Sequence, residues 1–575
     1  MRHIRNSEVA ETFNLVANLL DIQGANPFRV RAYRNAARVV AAESRSVAEM
    51  AEREHELETL PGVGRDLAGK IAEIVHTGEL SMLKELEKKT PASLTSMMRI
   101  PALGPKRIRA LFEGLGIKNL EELKAAAEAG KIKTLPGFSA KTEKRILEEI
   151  AKLRKRGPER VKWAEAEDIV SKLVPYLEEV EGVKRVIVAG SFRRKRETVG
   201  DLDILVTCKK GSSVMERFIH YPEVREIVSH GPTRSIVILR SGIQVDVRVV
   251  PERSYGAALH YFTGAKNHTI TIRAMAIKKG LKINEYGVYR GHKRIAGLTE
   301  EEVYRTVGLP YIEPELREGR GEIEAAQKGK LPKLIELKDL RGDLHAHTTA
   351  TDGRNTLEEM AKAARELGYE YLAITDHSER LTVASGLNEE RLMQQIREID
   401  RLNEKLNGIV ILKAIEVDIM EDGRLDLPDR VLQHLDLRVC SIHYKFNLSR
   451  EKQTERLLRA MDSPYCNIIG HLTGRLINQR DAYDLDFERV FEAANERGVF
   501  LEINAQPERL DIDDRICRQA KEMGLKFAIS SDAHSTESLK FIRFGVNQAR
   551  RGWIEANDVI NTRPLKELRR LLQRI

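Results

Sequence analysis

The stretch VAGSFRRKRETVGDLDILV, Val188–Val206, joins a small-residue loop to a strand that carries two acids. Asp201 and Asp203 flank Leu202, and alternate strand residues share a face, so both carboxylates project to one side while Leu202 points inward. Such neighbours repel. A second strand-like run, IQVDVRVV, sets Asp246 between Val245 and Val247. Burying unpaired acids is costly, so three of them on adjacent strands require arginine partners or divalent metal. The reading taken is two Mg (or Mn) ions bound by Asp201, Asp203 and Asp246. A salt-bridged sheet edge is the structural alternative.

Just upstream, Gly190, Ser191, Arg193 and Arg194 bring backbone amides, a hydroxyl and guanidinium groups to a strand end, a set suited to a triphosphate. Loop and acids together are the parts for two-metal nucleotidyl transfer.

Working outward, residues 1 to about 155 carry apolar residues at three- and four-residue spacing, which predicts helices. LPGVGRDLAGKIAEIV from Leu60, IPALGPKRIRALFEGLG from Ile100 and LPGFSAKTEKRILEEI from Leu135 each place an apolar-Pro turn before an amphipathic helix. They resemble helix-hairpin-helix motifs, whose turns aim amides at a phosphate and read no base. Gly62, Gly64, Gly104, Lys106 and Gly137 are the expected DNA-backbone contacts. The third copy departs from the pattern, with Ser139 and Ala140 where Gly and Pro are expected. Between Pro101 and Glu165, 16 Lys plus Arg stand against 9 Asp plus Glu, so most of the chain's net +9 lies there. A polyanionic partner fits that excess.

From Arg341 onward, short apolar strands alternate with helical stretches, predicting a parallel βα barrel whose functional residues sit at strand C-terminal ends. Those ends carry His345, His347 and Asp352 in GDLHAHTTATDG, His377 in ITDH, Glu416 in AIEVD, His443 in SIHY, His471 in IIGHL, and Asp532 and His534 in SSDAH. Nine nitrogen and carboxylate donors exceed the needs of one tetrahedral ion and suit Zn, Mn or Fe. Two or three Zn or Mn ions are expected, for hydrolysis of a phosphate ester.

GSFRR followed by GDLDILV resembles the nucleotidyltransferase palm of family X DNA polymerases, and the likeness runs to about residue 315. The resemblance implies that Asp201, Asp203 and Asp246 bind both metals and that Gly190, Ser191, Arg194 and Gly200 contact dNTP phosphates. YFTGAKNHTI resembles the segment that closes on the nucleotide, which adds Tyr261, Phe262, Gly264 and Lys266; Ala265 departs from the family's usual Ser. Lys70 aligns with the family's Schiff-base nucleophile for 5′-deoxyribose phosphate, with Tyr33 as a neighbour, although Asp66 replaces a family lysine. The region after residue 340 resembles a PHP domain with all nine metal-ligand positions filled. In bacterial and archaeal family X polymerases that domain implies 3′–5′ exonuclease, 3′-phosphatase and AP-endonuclease activities. Asp343 and Asp376 are expected to orient histidines, and Leu472 stands where relatives often have Pro.

The predicted fold is multidomain: an all-α helix-hairpin-helix region, an α/β palm with a mixed sheet, and a distorted βα barrel. The expected divisions are a lyase-like domain at 1–90, a DNA-binding subdomain at 91–160, a palm at 161–255, a nucleotide-closing subdomain at 256–317, a linker at 318–339 and a PHP phosphoesterase at 340–575. Gap filling on gapped or nicked DNA with dNTPs, followed or preceded by 3′-end trimming, is the expected function. Two other readings are a nucleotidyltransferase with a non-DNA acceptor and a DNA-binding scaffold with an active barrel. The intact acids and ligands count against a scaffold, and the hairpins and YFTG favour DNA.

Cys208, Cys440, Cys466 and Cys517 lie far apart, which excludes a CxxC zinc site and a disulfide framework and fits a reducing cytoplasm. No signal-peptide core or run of ~18 apolar residues is present. A monomer with no membrane partner is expected.

Overall fold

The computed structural model describes residues 6–42, 47–53, 55–100, 103–155, 160–209 and 212–573. Two compact units divide the chain, Met1–Glu159 and Arg160–Ile575. Residues 156–159 of the basic run and Pro101 and Ala102 of the second hairpin lie outside the described residues.

The described residues of the first unit form helices and turns with no strand among them, as the periodicity predicts. Helices Asn6–Ile22 and Pro27–Ala42 pack through Phe13, Val16, Tyr33 and Val40, and the first hairpin adds Leu60, Val63 and Ile71 to the same core. A second core, with Leu103, Ile108, Leu111, Leu123 and Ile146, gathers the other two hairpins. Gly64 and Gly104 occupy the N-cap positions of helices Arg65–Thr77 and Pro105–Leu115 without any side-chain cap. Their first-turn amides thus remain open to a phosphate oxygen. The third copy differs, because Ser139 Oγ accepts the Thr142 amide at 3.2 Å. One donor of that turn is therefore already satisfied.

The second unit begins with a two-stranded pair, β1 (Val161–Lys162) and β3 (Thr198–Val199). The palm sheet comprises β2 (Val183–Val188), β4 (Asp201–Cys208), β5 (Val224–Ser229), β6 (Arg234–Leu239) and β7 (Gln244–Val249), ordered β2-β4-β7-β6-β5. All its neighbours are antiparallel except β4 and β7, so the sheet is mixed. Helices Tyr255–Thr263 and Lys266–Lys278 follow. A meander of β8 (Lys282–Asn284), β9 (Gly287–Arg290) and β10 (Lys293–Ala296) then completes the nucleotide-closing part.

Seven parallel strands form the barrel: β11 (Gly342–Ala346), β12 (Tyr371–Ile374), β13 (Val410–Asp418), β14 (Leu437–Ser441), β15 (Ile468–Ile469), β16 (Phe500–Asn504) and β17 (Phe527–Ser530). A parallel bridge between Ala346 and Ala533 joins the first and last, which nearly closes the ring. β11, β12, β14, β16 and β17 are buried along their whole length, as strands covered on both faces must be. No helix among the described residues is long and apolar enough to cross a membrane.

Residues 318–339, expected to be a linker, are packed instead. Helix Glu322–Gln327 lies here, Ile323, Ala326 and Leu334 enter the core of the nucleotide-closing part, and buried Glu322 accepts from His268 at 2.7 Å. Palm and barrel share an interior as well. Ile477, Leu510 and Phe544 of the barrel join the palm core, where the Phe544 ring meets Trp163 edge to face at 5.7 Å. Removing a buried aromatic from such a junction costs about 3–5 kcal/mol. Phe544→Ala is accordingly expected to lower palm and barrel unfolding together in calorimetry; a shift of the barrel transition alone would show that the junction does not couple them.

Candidate active sites of the palm and the barrel

Parallel pairing sets the palm site. β4 and β7 run in register with Asp201 opposite Gln244 and Asp203 opposite Asp246. Leu202 is fully buried beneath them, as the alternation predicts. Asp246 receives Arg234 at 2.8 Å and Arg248 at 2.7 Å, whereas no ion pair forms at Asp201 or Asp203 among the described residues. Burial, then the neighbouring Asp201 and Asp246 carboxylates, push Asp203 up to about 7. Two acids with no direct ion pair among the described residues, one of them half-buried, fit a divalent cation between them.

The loop that faces these acids begins at Gly190. Its φ of 60° favours glycine, and a Cβ there would lie 2.6 Å from Asp203 Oδ2. Ser191 Oγ is buried with no hydrogen-bond partner, a donor left over for a ligand oxygen. Arg193 forks onto Glu300 at 3.0 and 2.6 Å. Arg194 is only 8 % exposed; its Nε donates to Glu318 at 3.0 Å and its Nη1 to the Thr263 carbonyl at 2.7 Å. Gly200 sits against Arg160, which binds Thr198. Tyr261 and Phe262 meet edge to face at 5.1 Å, with the Arg248 guanidinium 4.5 Å from the Phe262 centroid. That contact ties the YFTG segment to the strand carrying Asp246. Gly264 caps the helix Tyr255–Thr263, where a Cβ would crowd Thr269 and His268, and Lys266 opens the next helix.

In the first unit Gly62, Gly64, Gly104 and Gly137 have open space where a Cβ would be, and Lys106 is exposed. Lys70 donates to Asp66 one helical turn before it. The Tyr33 hydroxyl contacts Met82 Sδ at 3.0 Å rather than Lys70.

The barrel gathers all nine expected ligands at one mouth. His347, Asp352, His377 and His534 form one group, His345, His347 and Asp532 a second, and His377, Glu416 and His443 a third, each with donor atoms within 4.8 Å of one another. Glu416 lies at the centre, with His377 Nδ1 at 2.9 Å, His471 Nε2 at 3.0 Å, His443 Nε2 at 3.3 Å and His345 Nε2 at 3.4 Å. Burial disfavours charge on His377 and His443, yet Glu416 together with Asp352 for His377 and Asp418 for His443 outweighs it and pushes them up to about 10 and about 9. His347, buried among other imidazoles, is driven down to about 3. The buried Nε2 atoms of His345 and His347 make no hydrogen bond among the described residues, yet each lies 3.3–3.6 Å from carboxylate oxygens of Glu416 and Asp532. Unpaired nitrogens facing shared carboxylates are the donor set of a multinuclear metal centre.

Two supporting acids were not singled out in the sequence. Glu502 takes His345 Nδ1 at 2.7 Å and Asp418 takes His443 Nδ1 at 2.7 Å, which turns the opposite nitrogen of each ring toward the cluster. Glu502 had a readable signal, an acid inside the apolar strand VFLEINA, the same sign that marks Asp246. Asp343 and Asp376 do not hold histidine rings. Asp343 accepts backbone amides of His345 and Ser531, and Asp376 accepts from Thr348, Thr351 and Gln395, so both shape the ligand-bearing loops. Leu472 is buried in the barrel core.

Losing an acid that orients a metal-bound imidazole typically costs about 10–100-fold in affinity or activity. Glu502→Ala should therefore reduce both bound metal, measured by mass spectrometry of the metal content, and 3′-end hydrolysis by about that factor, with gap filling intact. Retention of metal and hydrolysis would remove Glu502 from the site.

Comparison with known proteins agrees with this layout. Family models match in order along the chain: a helix-hairpin-helix domain at 4–80, a SAM-like helix-hairpin-helix tandem at 94–152, the DNA polymerase beta palm at 160–237, the DNA polymerase beta thumb at 258–318 and a PHP domain at 343–506. The DNA polymerase/3′-5′ exonuclease PolX of Bacillus subtilis is 37% identical over 99% of this chain and 100% of its own length. A probable phosphatase of Thermoanaerobacter sp. is 35% identical over 35% of the chain and 84% of its own length, and one of Caldanaerobacter subterraneus is 36% identical over 33% and 75%. With palm, thumb and barrel all matched and a full-length relative at that identity, the chain belongs to the family X DNA polymerases that carry a C-terminal PHP domain.

Proposed function

We propose that the palm fills short gaps in DNA from dNTPs and that the barrel hydrolyses phosphate esters at the 3′ end, in base-excision or break repair. The observation that carries the polymerase half is the in-register facing of Asp203 and Asp246, with the Gly190–Arg194 loop beside them. Asp201, Asp203 and Asp246 hold the divalent ions, which when bound activate the attacking 3′ oxygen and neutralise the leaving pyrophosphate. Ser191 and Arg194 bind the phosphates, Gly190 lets the backbone approach, and Tyr261 and Phe262 close on the sugar. Gapped or nicked DNA is held through hairpin amides without base reading, so binding weakens steeply with salt.

The barrel acts as the 3′–5′ exonuclease, supported by the nine clustered donors and by the name of the Bacillus subtilis relative. Glu416 and the six histidines would hold metal ions there, which when bound would supply Lewis-acid activation of water. Primer extension across a one-nucleotide gap tests the assignment. Asp201→Ala should abolish extension and spare 3′ trimming in Mn, and His345→Ala should do the reverse. Wild-type protein that binds gapped DNA but extends nothing would overturn the polymerase reading.

Lys70 presents a narrower question. Schiff-base attack needs a free amine lone pair, whereas Lys70 is hydrogen-bonded to the Asp66 carboxylate. Borohydride trapping with a 5′-deoxyribose phosphate end should give little adduct, and Asp66→Asn should raise it. Strong trapping by the unaltered protein, lost in Lys70→Ala, would establish Lys70 as a working lyase nucleophile.

A further inference from the structure

Arg551 closes the helix Ile542–Arg551 of the barrel domain, and its side chain is 3% exposed. It reaches into the palm. Nη1 donates to the Arg194 carbonyl at 2.7 Å and to Glu318 Oε1 at 3.0 Å, while Nη2 donates to Asp514 Oδ2 at 2.6 Å. The same Glu318 oxygen accepts Arg194 Nε at 3.0 Å, and Arg320 reaches Asp514 at 3.0 Å. Arg196 approaches the other Glu318 oxygen at 3.5 Å. The result is a buried row of alternating charge from the palm's phosphate loop to the barrel helix Asp514–Glu522.

We infer that Arg551 is a positioning residue for dNTP binding: the barrel domain sets the palm's phosphate-binding arginine through Glu318. Two physical effects run in the same direction. With Nε on Glu318 and Nη1 on Thr263, only Nη2 of Arg194 is uncommitted among the described residues, so the fork is held in one orientation with one edge on offer. Arg551 fixes that orientation at both ends, by gripping the Arg194 backbone and its carboxylate partner. Charge adds to this. Glu318 is shared among Arg194, Arg196 and Arg551, which leaves a net positive site for the triphosphate and makes Arg551 the most buried of its compensating charges. Removing Arg551 both loosens the fork and leaves Glu318 opposing the incoming phosphates. Neither effect touches the metal ligands of the barrel.

The inference rests on Arg194 as a phosphate contact, and the experiment separates the two. Single-nucleotide gap filling by the full-length chain is measured against dNTP concentration, with 3′ hydrolysis in Mn and thermal unfolding followed in parallel. Arg194→Ala should raise the dNTP KM; an unchanged KM defeats the phosphate reading itself. Arg551→Met, which keeps bulk and loses charge, should raise KM about tenfold, the scale of one charge-assisted hydrogen bond, with kcat and 3′ hydrolysis little changed. Arg551→Lys should recover part of the loss. In a Glu318→Gln background, Arg551→Met should have a much smaller effect, because the unbalanced carboxylate is gone. If Arg194→Ala raises KM but Arg551→Met does not, the positioning role is wrong. It is equally wrong if Arg551→Met lowers kcat, 3′ hydrolysis and thermal stability together, or if its effect is the same with and without Glu318→Gln.

Discussion

Parallel pairing between β4 and β7 is the constraint on which the polymerase half depends. In a parallel ladder, residues in register point to the same face of the sheet, and the register here sets Asp203 directly opposite Asp246. The chain places these acids more than forty residues apart, yet the ladder makes them neighbours. Leu202, Val245 and Val247 bury the opposite face, so a slip of one residue would expose the core and hide the acids. Register is therefore defended by hydrophobic burial, and the carboxylates are carried into place by it. Their mutual repulsion is offset in part by Arg234 and Arg248, which pair with Asp246.

The barrel solves the same problem by another geometry. Seven parallel strands deliver their C-terminal ends to one mouth, and six of those ends contribute between one and three of the nine donors, each from a different part of the sequence. Glu416 stands where several imidazoles converge, and Glu502 and Asp418 turn two of those rings from behind. The backbone itself is bent to serve the site: His471 and Asp532 adopt φ of 25° and 52°, an uncommon region for side-chain-bearing residues. Such strain persists only where surrounding structure over-determines it, and here buried Asp343 and Asp511 bind the adjoining amides.

Palm and barrel are continuous in their packing. Phe544, Leu510 and Ile477 join the palm core, Arg475 pairs with Glu197 at 2.6 Å, and Arg551 binds the Arg194 carbonyl of the Gly190–Arg194 loop. The stretch 318–339, expected to be a linker, is rich in charge and Gly. Two of its charges are instead partners inside the fold, Glu318 serving three arginines and Glu322 serving His268, while Glu324, Lys328 and Lys330 stay exposed. Composition cannot separate these cases, since a solvated acid and a buried, paired acid are written with the same letter.

The sequence by itself determined the type of most elements and pointed to the candidate reacting groups. Alternation around Leu202 put two acids on one face, apolar strands ending in His or Asp announced a ligand rim, and Pro-Gly turns before amphipathic helices marked the hairpins. These signals are local, because strand and helix periods act over a few residues. Only the tertiary structure decided which acids carry counter-charges, which carboxylates stand behind His345 and His443, and that Arg551 reaches the palm. Those facts depend on contacts between residues separated by up to 357 positions. Such contacts are fixed by how layers pack, and no local period encodes them.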